Sequence, residues 1–297
     1  MKVVGKRKER TIARPVFLSG RGLHTGEIVS IHLHPLKEKR GIFFSRKDVG
    51  EGQEQWLPAR IEYVENTERS TSLRRGNFSI QTVEHLLSAL SALQIDNLLI
   101  EVDGPEIPIA DGSAAPFVRL LRQAGICQGK EELPIYSCSL PLSLSEGNTH
   151  LMALPSQSYQ ISYLLHYPNH RLLSSQCYSL EISESSFIDK IAPCRTFCTF
   201  EELDFLLQKN FIQGASWQNG VVICKDVILR EKRGEEKCLP DEMVRHKILD
   251  LLGDLSLVPI SFVAHIVSIC SGHDTNVKFG KLLWEQFDST FFQGIST

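Results

Sequence analysis

Two short segments, Val83-Glu84-His85 and Val244-Arg245-His246, stand at matching points of two similar stretches of this chain. Each lies in a run whose apolar residues recur at helical spacing. Each run then leads into an apolar strand, a glycine turn and another helical run. His85 to Gly112 is 27 positions, and His246 to Gly272 is 26. The chain of 297 residues has room for two domains of ordinary size. The spacing therefore predicts an α+β fold of two like domains, residues 1–130 and 131–297, each a sheet with helices packed on it. Generic strand–helix units also produce loose repeats by chance.

The local pattern supports this outline. Val29, Ile31 and Leu33 alternate with Ser30, His32 and His34, which predicts a half-buried strand. Ile80, Val83, Leu86, Leu87, Leu90 and Leu93 predict a helix from Ser79 to about Gln94. A strand over Leu98–Val102 follows, then a helix capped by Ser113 and stopped by Gly125. The polar run Gln128–Pro134 reads as a linker. Beyond Pro240 the order returns: a helix over Asp241–Leu255, a strand over Phe262–Cys270, and a helix over Asp274–Phe287.

The helix Asp241–Leu255 carries Val244, Ile248, Leu251, Leu252 and Leu255 on one side. His246 and Asp250 lie on the other, one turn apart, with Asp254 a further turn along. A His and a carboxylate at i and i+4 can face one ion. On this helix alone a solvated face explains them better. The first helix changes that balance. His85 also points away from the apolar side, among Thr82, Ser88, Ala89 and Ala92. Such small residues let another element come close. Two His, one Asp and an open fourth position make the pattern of a catalytic zinc site. His85, His246 and Asp250 are therefore the expected metal ligands, for Zn2+ or, equally suited to this donor set, Fe2+.

Glu84 points about 100° away from His85 on a helix. That suits a general base acting on water at the metal. His273, held in Ser271-Gly272-His273-Asp274 at a helix start, suits a general acid or electrostatic clamp, with Asp254 as its candidate partner. A helix-capping polar turn explains those residues as readily. Gly20-Arg21-Gly22-Leu23-His24-Thr25-Gly26 leads into a strand rather than a helix, so it reads as a turn and not as a phosphate loop.

The formal net charge of −3 gives no bulk positive field for nucleic acid. The basic segment 1–14 lacks the apolar core of a secretory signal. Val258–Cys270 is too short to span a bilayer. A cytoplasmic monomer with no transmembrane segment is expected. The eight cysteines form no C-x-x-C motif, so reduced thiols are the default.

Taken together, Ser19–Gly26, Thr82–Leu90, Ile109-Ala110-Asp111-Gly112-Ser113, Arg195-Thr196-Phe197, Val244–Leu255 and Ser271-Gly272-His273 resemble the UDP-3-O-acyl-N-acetylglucosamine deacetylases. These enzymes carry out the committed step of lipid A synthesis in Gram-negative bacteria. The resemblance implies helices sandwiched between the sheets of the two domains. It implies a UDP-linked acylated amino sugar as substrate, zinc on His85, His246 and Asp250, Glu84 as base, and His273 with Asp254 as acid or charge stabiliser. It gives Thr196 a hydrogen bond to the oxyanion, and Arg195, Phe197 and Lys247 contacts to the sugar nucleotide. It places an apolar acyl passage at about Cys198–Gly220, with Phe205, Leu206, Leu207, Phe211 and Ile212 as lining. Cys198 replaces the glycine that usually follows Arg-Thr-Phe and adds bulk at the passage entrance. A dual-function form that also dehydrates acyl thioesters would need an additional domain. A non-catalytic nucleotide-sugar sensor would have no use for Glu84 beside the three ligands.

Overall fold

The computed structural model describes residues 1–37, 40–46, 56–225, 227–231 and 241–293, with side chains to 287. Cys238 and part of the Gly41–Val64 stretch lie outside them. In chain order, β1 (Lys2–Ile12) precedes β2 (Val16–Arg21), β3 (Ile28–Pro35), β4 (Gly41–Arg46) and β5 (Trp56–Pro58). Three short strands follow, β6 (Val64–Asn66), β7 (Ser72–Arg75) and β8 (Phe78–Ile80), then α1 (Glu84–Ala92), β9 (Asn97–Val102) and α2 (Ala115–Ala124). The second half opens with β10 (Ile126–Ser137), β11 (Leu142–Glu146), β12 (Thr149–Leu154), β13 (Gln160–Leu165) and β14 (Gln176–Glu181). It continues with α3 (Glu184–Lys190), β15 (Phe197–Thr199), α4 (Phe200–Gln208), β16 (Val221–Cys224) and β17 (Val227–Leu229). It closes with α5 (Glu242–Leu255), β18 (Ser261–Val263), β19 (His265–Ile269) and α6 (His273–Gln293).

This is an α+β fold, and its two five-stranded sheets share one plan. The first has the order β2-β3-β9-β4-β5, the second β11-β12-β19-β13-β14. In both, the last strand in sequence enters the middle, antiparallel to one neighbour and parallel to the other. In both, a histidine-bearing helix precedes that strand: α1 directly before β9, and α5 before β19 with the short β18 between. α5 packs on β13 and β14, α6 on β11 and β12, and α1 against α5. The apolar sides of α1 and α5 are buried, Val83, Leu86, Val244, Ile248, Leu251 and Leu255 among them.

Three local expectations change. Residues 79 and 80 belong to strand β8, paired with β7, and α1 begins only at Glu84. Between them Thr82 turns the chain with φ +58°. The run Phe78-Ser79-Ile80 is too short for its period to separate strand from helix. The polar run Gln128–Pro134 is strand rather than linker: β10 pairs with β1 along most of its length. Its charges sit on an exposed ribbon, with Lys6 and Lys8 each 3.9 Å from Glu132, so no apolar alternation marks it. The strand expected at Phe262–Cys270 breaks at Ala264. β18 joins β10, and β19 joins the second large sheet.

Arg7 ties these parts together. Its guanidinium bonds both oxygens of Asp96, at 2.7 and 2.6 Å, and Ser261 Oγ at 2.8 Å. The seven described cysteines are free thiols. No described helix is long and apolar enough to cross a membrane.

Candidate active site

α1 and α5 meet at their small residues. Ser88 and Ala89 are fully buried. On the other helix, a Cβ at Gly253 would come within 2.2 Å of the Glu84 carbonyl oxygen. This close crossing brings the two histidine-bearing faces together.

His85, His246 and Asp250 each offer a ligand atom within 4.8 Å of the others, and all three are buried. Asp250 Oδ1 lies 3.3 Å from His246 Nε2 and 3.7 Å from His85 Nε2. The Cys194 carbonyl accepts a hydrogen bond from His246 Nδ1 at 3.1 Å, which fixes the ring and turns Nε2 inward. Burial holds the His246 pKa down at about 4, so the ring is neutral. With its proton on Nδ1, a bare Nε2 lone pair faces a carboxylate oxygen. A cation between them resolves that repulsion. The donor set therefore fits a divalent metal ion.

Burial alone would raise the Asp250 pKa. His246 and Lys247 instead hold it well below the usual carboxylate range. Lys247 Nζ donates to Asp250 Oδ2 at 2.6 Å.

Glu84 is 3% exposed and its pKa is raised by burial. The Thr71 N–H donates to its Oε2 at 3.0 Å. Its Oε1 lies 3.9 Å from His273 Nε2. His273 Nδ1 donates to Asp254 Oδ2 at 2.9 Å. Burial opposes charge on this imidazole, but Asp254 outweighs it and the pKa stands at about 9. Asp254 is itself held by Thr71 Oγ1 (2.5 Å) and Asn276 Nδ2 (2.9 Å). The structure thus brings Glu84, His85, His246, Asp250, Asp254 and His273 into one buried cluster.

A cavity of about 350 Å³ lies beside it, lined by Thr196, Phe197, Cys198, Leu206, Ile212 and Trp217 among others. The Phe197 ring stands 6.3 Å from that of His246. Of the expected passage residues, Leu206 and Ile212 line the cavity. Phe205 and Leu207 are 43% and 59% exposed, and Phe211 packs edge-on against His24. Arg195, expected at the sugar nucleotide, is not among the residues that line the cavity. It is 4% exposed, with Nε 3.3 Å from Glu242 Oε1.

A match to known proteins covers almost the whole chain. The family model described as UDP-3-O-acyl N-acetylglycosamine deacetylase matches residues 9–285. The chain belongs to this family. A deacetylase so named from Chlamydia pneumoniae is 44% identical over 283 residues, covering 95% of this chain and 99% of the relative. The Chlamydia abortus protein of the same name is also 44% identical, covering 94% and 98%. That of Chlamydia felis is 43% identical, covering 95% and 98%. The chain is accordingly a hydrolase of amide C–N bonds.

The residue pattern alone did not point to Thr71, Asn276 or the Cys194 carbonyl. Asn276 lies one turn past His273, a spacing that could have marked it. Thr71 sits in a polar turn with no period at all. Gly20 and Arg21 end β2, and Gly22–Gly26 form the expected turn into β3, which wraps a carboxylate. Glu106, fully buried, accepts from His24 N (3.0 Å), Thr25 N (2.9 Å), Thr25 Oγ1 (2.8 Å) and Thr82 Oγ1 (2.8 Å).

Proposed function

We propose that this chain removes the acetyl group of a UDP-3-O-acyl-N-acetylglucosamine, releasing acetate and the free amine, as the committed step of lipid A synthesis. The observation that carries the reading is the convergence of His85, His246 and Asp250 beside the Glu84–His273 pair. His85, His246 and Asp250 would hold Zn2+, with Fe2+ as the alternative. Bound there, zinc would lower the pKa of water from 15.7 toward ~7 and polarise the acetamide carbonyl.

Glu84, positioned by the Thr71 N–H, takes the proton of the attacking water. Its burial raises its proton affinity toward what a base at neutral pH needs. Charged His273, held by Asp254, steadies the negative charge that develops and has a proton for the leaving amine. Thr196, at the cavity wall, donates to the oxyanion; one such donor is worth ~10²–10³ in rate. Phe197 and Lys247 contact the sugar nucleotide. Arg195, expected as a further contact to the sugar nucleotide, is buried on Glu242 and holds the chain just before Thr196 and β15. The apolar cavity takes the acyl chain.

On this reading residues 1–130 supply Glu84 and His85. Residues 131–297 supply His246, Asp250, His273 and the acyl passage, and the helices of both lie between the two sheets. The test is acetate release from the purified substrate. A chelator should stop it and added zinc restore it. Acetate release that a chelator leaves untouched would remove the metal from the mechanism.

A further inference from the structure

Arg69 lies in the turn between β6 and β7, at the rim of the cavity. Its φ is +67°, in the left-handed region that glycine adopts freely and L side chains seldom do. A long cationic side chain nevertheless stands there, and it reaches the other half of the molecule. Nη1 donates to Glu202 Oε1 of α4 at 2.7 Å, and the guanidinium carbon lies 5.9 Å from the centre of the Phe205 ring. Leu203 and Leu206 of the same helix line the cavity. Both charged side chains are partly shielded, at 35% and 29% exposure.

Glu202 has two separate tasks. Its Oε2 accepts from Thr199 N at 2.9 Å and Thr199 Oγ1 at 3.0 Å, closing the first turn of α4. Its Oε1 meets Arg69. Without Arg69, α4 keeps that cap and its packing on β15 and β16, but loses its tie to the first half.

We propose that the Arg69–Glu202 ion pair is a specificity determinant: it fixes α4 across the cavity rim and limits the length of acyl chain that enters. The inference rests on assigning the cavity to the acyl chain.

The experiment compares kcat/KM for acetate release over UDP-linked substrates whose acyl chains lengthen in two-carbon steps. Arg69→Gly removes the guanidinium and suits the backbone. Glu202→Gln keeps an oxygen for Thr199 and discards the charge. Each is expected to raise the long-to-short ratio about threefold, as one partly exposed ion pair can supply. Wild-type enzyme in about 0.5 M salt should move the same way. A ratio unchanged in both variants overturns the proposal. Loss of acetate release from every substrate by the wild type sinks the substrate reading instead. Binding of free fatty acids of the same lengths, read by displacement of a fluorescent apolar probe, then decides the clasp by itself: a shifted length preference in the variants supports it, and an unshifted one overturns it.

Discussion

Gly253 of α5 and the Glu84 carbonyl of α1 stand so close that a single added methyl would sit 2.2 Å from that oxygen. A backbone oxygen inside a helix cannot swing aside, so the helices themselves must move. Gly253→Ala should cost about 1–3 kcal/mol of stability. It should also weaken metal binding, because the proposed ligands are divided between those two helices. Thermal unfolding and chelator competition measure the two effects. Wild-type values for both would show that the crossing has slack.

Glu84→Gln keeps the size of the side chain and a hydrogen-bond acceptor for the Thr71 N–H, but not the base. Turnover should fall by ~10²–10⁴, while metal content stays at the wild-type level. Acetate release and elemental analysis on the same preparation check this. Near-normal turnover would refute the role given to Glu84.

The pH profile follows from two opposed shifts. On the proposed mechanism Glu84 must be ionised, and burial raises its pKa, so kcat/KM climbs as pH rises through that raised value. His273 must be charged, and its pKa of about 9 sets the alkaline fall. Asp254→Asn removes the carboxylate that raises it. The alkaline limb should then move to lower pH, with the acid limb changed less. An alkaline limb left in place would separate His273 from the rate.

His246→Ala removes one of the three proposed ligands and leaves Asp250 with Lys247. The wild type should bind about one metal ion per chain, and the variant should lose it on dialysis. Retention of the metal at wild-type affinity would mean that the ligands lie elsewhere.

Glu106 anchors the loop from Gly22 to Thr25 and the turn before α1. Glu106→Ala leaves the His24 and Thr25 N–H groups without their acceptor and should cost about 3 kcal/mol. Differential scanning calorimetry measures the loss. Unaltered stability would show that the loop holds itself.

The clustering of His85, His246 and Asp250 was legible because two constraints coincide in the sequence. His85 and His246 occupy equivalent places on two amphipathic helices, and the small face around His85 has no use on a helix facing water. The repeated sheet plan was legible for the same reason, since strand and helix periods recur in order. Other features left weaker traces. Thr71 serves both Glu84 and Asp254 from a turn whose position depends on pairing between β6 and β7. β10 is hidden because an exposed ribbon replaces apolar alternation with charge. The pairing of Arg195 with Glu242 leaves no local trace, because the two stand 47 residues apart.

The matching plan of the two large sheets has a corollary for symmetry. Four residues beyond His246 stands Asp250, whereas four beyond His85 stands Ala89; eight beyond, Asp254 answers to Leu93. Both copies of the motif contribute a histidine, but at these two positions one carries a carboxylate and the other an apolar residue. Two identical subunits meeting across a two-fold axis would carry the same residue at both places. Encoding both copies in a single polypeptide lets the paired positions differ.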